Sequence, residues 1–113
     1  MDVRLIDIGF DDLPLIERWL RSEHVRRYWG DPEENTRLLR AVPAPGNWRA
    51  IIEAGGRKVG LVLWQHPTRQ ELDEAGLFDV PETVIDIDIM IGEEAETGRG
   101  SGSAAIGLVA AIA

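Results

Sequence analysis

Cysteine is absent from the 113 residues, which removes disulfides, thiolate metal sites and a cysteine nucleophile together. Histidine is scarce. His24 and His66 stand without partners at metal-ligand spacing, so no metal site is expected. Basic residues are outnumbered, 12 against 20 acidic, for a net charge of −8. A phosphate-backbone interface needs the opposite balance, so no nucleic-acid partner is expected. No apolar run reaches the ~18 residues that cross a bilayer, and no membrane partner is expected. Met1-Asp2-Val3-Arg4 lacks the basic flank and long apolar stretch of a secretory signal, and a soluble cytoplasmic protein is the simplest reading. What is present is ordinary: 44% apolar and 28% charged residues, enough for a single domain over residues 1–113 with one modest core. The acidic excess either keeps the surface solvated or draws a cationic ligand; charge alone does not choose.

Val3 to Ile8 alternates as a strand, with Val3 and Leu5 on one side and Arg4, Ile6 and Ile8 on the other. Asp11 or Asp12 suits the cap of a helix carrying Leu13, Ile16, Trp19 and Leu20 at three- and four-residue spacing. A short segment, Glu23 to Trp29, closes at Gly30. Asp31-Pro32-Glu33-Glu34 then opens a helix through Leu38, Leu39 and Val42 that stops before Pro43-Ala44-Pro45-Gly46. Next the period changes to two. Trp48 to Ala54 and Lys58 to Trp64 are strands joined by Gly55-Gly56, a hairpin signal. Thr68 to Glu82 is a polar, acidic connection. Thr83 to Ile91 is a strand with Ile85, Ile87, Ile89 and Ile91 on one face and Val84, Asp86, Asp88 and Met90 on the other. A glycine-rich turn leads into an apolar helix, Ser103 to Ala113. The order implies an α+β fold with a mostly antiparallel sheet flanked by helices.

The turn Thr97-Gly98-Arg99-Gly100-Ser101-Gly102-Ser103 joins strand to helix. Glycines let such a turn aim several amides at one point, and a helix N-terminus adds donors and partial positive charge, which together suit a pyrophosphate. The plain alternative is a flexible connection. A Walker-type loop is excluded because no Lys-Ser or Lys-Thr follows the last glycine, and a dinucleotide fingerprint would open a βαβ unit, not follow a meander.

Gly98-Arg99-Gly100-Ser101-Gly102, after Ile87-Asp88-Ile89-Met90-Ile91-Gly92, resembles the coenzyme A loop of the GNAT superfamily of N-acetyltransferases. That pattern is Gln or Arg, two residues, Gly, one residue, then Gly or Ala; Thr97 departs at the first position, while Gly100 and Gly102 fit the small ones. Trp19-Leu20, His24-Val25 and Tyr28-Trp29-Gly30 are similar to the helical segment of aminoglycoside 6′-N-acetyltransferases. Trp48 to Ile52 with Val59-Gly60-Leu61 resembles their central strands, and Ile87-Asp88 their substrate-binding Ile-Asp. The resemblance implies acetyl-CoA as cosubstrate, no metal, and transfer to a cationic amine by direct attack, with an aminoglycoside, and hence antibiotic resistance, as the leading case. A siderophore lysine, a polyamine or a peptide amine remains an alternative acceptor, and a non-catalytic coenzyme-binding or oligomerising module an alternative role. Family members continue with further strands and helices, so the chain is expected to be incomplete or completed by another chain, a homodimer included.

Under that resemblance Asp88 is the catalytic candidate, and Asp86, Asp88, Tyr28, Trp29 and Trp64 are candidates for the acceptor. Ile91, Gly92, Thr97, Gly98, Arg99, Gly100, Ser101, Gly102 and Ser103 are candidates for the coenzyme, with an oxyanion donor expected near Met90 or Ile91. Asp86 and Asp88 lie two strand steps apart, roughly 6–7 Å, close enough for mutual repulsion to raise one pKa. Equally, they fit the solvated face of a half-exposed sheet. Tyr28, Trp29 and Trp64 either stack on a sugar or pack inside, while Trp19 and Trp48 are expected in the core. Glu71, Asp73, Glu74, Asp79 and Glu82 form either a flap that draws cations or a polar surface loop.

Overall fold

A computed structural model of the chain describes residues 2–41, 46–81, 83–98 and 100–112. Val42, the Pro43-Ala44-Pro45 stop, Glu82, Arg99 and Ala113, all part of the expectations above, lie outside them. Four strands form one sheet in chain order, each antiparallel to the next: β1 (Val3–Ile6), β2 (Asn47–Ala54), β3 (Arg57–Gln65) and β4 (Asp86–Ile91). Helices α1 (Leu13–Arg21), α2 (Glu23–Trp29) and α3 (Pro32–Arg40) lie between β1 and β2 in the chain. A short α4 (Arg69–Glu74) interrupts the β3–β4 connection, and α5 (Ser101–Ile112) follows the glycine turn. The α+β reading holds.

Period-two alternation divides the strands between two cores. Ile51, Leu61 and Met90 pack with Ile16, Trp19, Leu20, Val25 and Leu39 beneath α1–α3. Ile52, Val59 and Val62 pack with Ala105 and Val109 of α5, and Val3, Leu5, Ile87, Ile89 and Ile91 gather against them. The isoleucine face of β4 therefore belongs to α5, and its aspartate face to the three-helix side. α5 itself is only half covered: Ala105 and Val109 are buried while Ile106 is 45% exposed, although a helix apolar on every side is ordinarily buried all round.

The hairpin forms as its glycines foretell, with φ of 59° at Gly55 and 79° at Gly56, the left-handed pair a two-residue turn requires. The Asp31 cap also holds, its carboxylate accepting from the Glu33 amide at 3.1 Å. Asp12 serves differently. It makes no cap bond; its carboxylate accepts the Gly9 amide at 2.7 Å and the Lys58 ammonium instead, tying the start of α1 to β3. The Lys58 bond holds this buried carboxyl below the usual aspartate range.

Two further expectations are corrected. The polar connection is not wholly irregular, because Thr68 and Glu71 close a reciprocal capping box (3.1 and 3.2 Å) and start α4, which Leu72 anchors by burial. β4 begins at Asp86, three residues late, since the Val84 amide turns back to the Pro81 carbonyl at 3.1 Å.

Candidate active site along strand β4

β4 is an outer strand of the sheet, and its hydrogen-bond phase fixes what it offers. The Gly92 amide donates to the Val59 carbonyl at 2.8 Å, continuing the register in which Met90 faces Leu61 and Asp88 faces Leu63. Alternation then directs the main-chain groups of Met90 and Asp88 inward to β3, and those of Ile87, Ile89 and Ile91 outward along the open edge. The amides this strand leaves free of β3, candidates for the expected oxyanion donor, are therefore those of Ile89 and Ile91, while that of Met90 faces β3. The Glu93 amide also reaches the Val59 carbonyl, at 3.1 Å, so the chain swings away from β3 just past Ile91.

On the three-helix side, cross-strand pairing builds two rows: Asn47, Gln65 and Asp86, then Arg49, Leu63 and Asp88. They line one cavity of about 350 Å³ under Leu38 and Ala41. Gln65 Nε2 donates to Asp86 Oδ2 at 3.2 Å, and Arg49 Nη2 donates to the Ala41 carbonyl at 2.8 Å. Packing around Asp88 desolvates its carboxylate and raises its pKa, with repulsion from Asp86 as the smaller cause. Asp86 and Asp88 are both exposed, so the pair sits on a solvated face of the sheet that packing desolvates only in part. Asp86→Asn is expected to return the Asp88 pKa partway toward the usual value, read from carboxyl chemical shifts across a pH titration. A raised folded-state pKa also means that Asp88 favours folding below the ordinary aspartate pKa and loses that contribution as pH climbs through its own.

The outer edge of β4 faces a second cavity of about 360 Å³, walled by His24, Val25, Arg27, Tyr28 and Trp29 of α2 and by Thr97. His24 Nε2 lies 2.9 Å from the Ile91 carbonyl; a carbonyl only accepts, so this nitrogen carries the proton. Ile91 thus has its carbonyl engaged and its amide directed to the groove. Gly92 differs from its expected role, because its amide is committed to Val59.

The turn after β4 is built as a bend toward α5. Glu94–Glu96 form a single 3-10 turn, Thr97 Oγ1 donates to the Glu94 carbonyl at 2.6 Å, and Gly98 and Gly100 take φ of 77° and 88°. The hydrogen-bond ladder of α5 begins with the Ala104 amide on the Gly100 carbonyl, so the opening turn carries the partial positive charge of a helix N-terminus. A Cβ built on Gly102 lies 3.6 Å from the Ile89 side chain, which sets this turn against the isoleucine face of β4. Ser101 is buried within it, and Ser103 is exposed. Under the coenzyme role that the sequence resemblance implies for this turn, Gly100→Ala, with space for a methyl but not the φ, is expected to weaken coenzyme A binding about tenfold by calorimetry.

The expected acceptor residues separate. Asp86 and Asp88 share the first cavity, whereas Tyr28 and half-buried Trp29 line the groove at the outer edge, further along the strand. Trp64 borders the first cavity, but its ring stacks on Trp48 with centroids 6.3 Å apart, toward the α5 side. Trp48 is not core: 45% exposed, it also meets the edge of His66 at 5.8 Å. Sequence reasoning passed over Arg49 and His24, whose places depend on pairing between distant segments.

Strand edge, glycine bend and following helix N-terminus are what the sequence resemblance anticipated. The model of the acetyltransferase (GNAT) domain matches residues 10–113. The chain belongs to the GNAT acetyltransferase family. No curated protein sequence matches it. Among solved structures, this GNAT domain is similar to the aminoglycoside acetyltransferase AAC(6')-Ib in complex with coenzyme A, at 16% identity and a TM-score of 0.77. That match covers 98% of this chain and 66% of the other. The same enzyme with ribostamycin and coenzyme A gives 15% identity and 0.78, covering 99% and 66%. A Bacillus halodurans protein described as uncharacterized gives 18% identity and 0.69, covering 87% and 52%. At such identities the likeness shows the GNAT fold, and the chain spans about two thirds of the length of the acetyltransferase chains it matches.

Proposed function

We propose that this GNAT domain binds acetyl-CoA along the outer edge of β4 and transfers the acetyl group to an amine held by Asp86 and Asp88. The observation that carries the reading is the pair of cavities set along one strand, one beneath its aspartates and the other at its outer edge. One offers outward main-chain groups beside a helix N-terminus, and the other offers two carboxylates. Under this reading the main chain of Ile89 and Ile91 seats the pantetheine arm, and the turn of Thr97, Gly98, Arg99, Gly100, Ser101, Gly102 and Ser103 seats the diphosphate. No metal is required by this scheme.

Asp88 and Asp86 attract an ammonium group, and Asp88, with its raised pKa, takes up the proton that frees the amine lone pair. The amine nitrogen then attacks the thioester carbonyl. A C–N bond forms, an outward amide of β4 meets the developing oxyanion, and the C–S bond breaks to release coenzyme A thiolate, which takes a proton from solvent. With no cysteine in the chain, a thiol acyl-enzyme has no place in this scheme.

Aminoglycosides are the first acceptors to try, because the similar solved enzyme acts on them and the net charge of −8 favours polycations. Lysine-type amines, polyamines and peptide amines complete the panel. Acetyl-CoA and each amine, mixed with the protein, are expected to yield free thiol and an acetylated product by mass. Absence of both across the panel would refute transfer, and calorimetric binding of coenzyme A without turnover would leave a binding module.

A further inference from the structure

The acceptor cavity holds a cation as well as two anions, and that cation is unspent. Arg49 stands on β2 opposite Leu63, with Asp88 beyond it on β4, so its Cα is roughly 10 Å from that of Asp88, two strand spacings away. The guanidinium is half-buried, and that desolvation lowers its pKa. Its one recorded hydrogen bond goes to the Ala41 carbonyl, 2.8 Å from Nη2. Among the described residues it forms no ion pair, neither Asp86 nor Asp88 included, although eight of the ten other arginines and lysines described do form one. A guanidinium partly withdrawn from water without an anion is unfavourable, and the Ala41 bond engages only one of its five N–H donors.

We propose that Arg49 receives an anionic group of the acceptor, so that the preferred substrate is an amine that also carries a carboxylate, with its amino group at Asp86 and Asp88. This rests on the acetyltransferase reading and narrows it from polycations to amino-acid-type acceptors. The Ala41 bond fixes the fork in advance, and a planar fork suits a carboxylate through two parallel bonds. Leu63 between the two poles accommodates the aliphatic chain that joins amine to carboxylate. The net charge of the protein pulls the other way, toward dications, so a preference for the carboxylate-bearing molecule is attributable to a local contact.

L-lysine and cadaverine differ only by the carboxylate and make a matched pair. Titrated into the coenzyme A-loaded protein, lysine is expected to bind at least about tenfold more tightly than cadaverine, with the same order in kcat/KM. Arg49→Gln is expected to collapse that ratio to near one, while Arg49→Lys keeps part of it. Equal or tighter binding of cadaverine, binding of neither, or a ratio that survives in Arg49→Gln would overturn the proposal. Turnover of kanamycin or cadaverine with no carboxylate preference defeats this inference alone. Failure of every acceptor to release thiol defeats the transferase reading, and the calorimetric pair still reports on Arg49.

Discussion

Asp88→Asn is expected to slow acetyl transfer about a hundredfold while coenzyme A affinity stays within about twofold of the parent. The split follows from the strand. The Asp88 side chain projects into the three-helix cavity, whereas the proposed coenzyme contacts are main-chain groups on the outer edge and in the turn beyond it. Asparagine keeps the size and removes the charge that receives the ammonium proton. The loss should be largest near neutral pH and should shrink as pH approaches the amine pKa, where free amine no longer depends on a base. Turnover followed by thiol release, beside calorimetry with coenzyme A, reads both quantities. A variant with parental kcat across that range would remove Asp88 from the chemistry.

Gly92→Ala is expected to destabilise the fold by roughly 3–5 kcal/mol, the range of disrupted cores, and to lower Tm by at least about 10 °C. A methyl there would sit 2.1 Å from Cγ and Cδ2 of Trp19, far inside contact distance. Trp19 cannot yield cheaply: it is 1% exposed in the three-helix core, and its indole N–H donates to Glu93 Oε2 at 2.7 Å. Gly92 is pinned from the other side by its bond to Val59. Thermal unfolding followed by circular dichroism measures the loss. Pairing the change with Trp19→Leu should cost less than the sum of the two, because the smaller side chain vacates the colliding volume. Additive losses would mean that the ring is not what Gly92 accommodates.

These expectations lean on residues of unequal legibility. The isoleucine and aspartate faces of β4 are written in its alternation, and Gly55-Gly56 announces the hairpin, so sheet and cores follow from local pattern. α4 escaped because five polar residues around one buried leucine carry no apolar period; the Thr68–Glu71 capping box was its only trace. Trp48 was expected inside on account of size, yet a strand-end position opposite Trp64 leaves it stacked and half in water. Arg49 shares a cavity with Asp88 from 39 residues away and His24 contacts Ile91 from 67, through register and helix docking that no local window records. The aspartate pair was visible in the chain; the cation that shares its cavity was not.

The division of β4 bears on how such a domain diversifies. Under the proposed function, the nucleotide carrier is gripped by peptide groups common to every amino acid, while the acceptor meets only side chains of the same six residues and their neighbours on β2 and β3. Substitutions at positions such as 47, 49, 65 and 86 can therefore retune which amine is accepted while the carrier's seat persists. One ribbon keeps a fixed currency on its rim and leaves its pleat free to change customers.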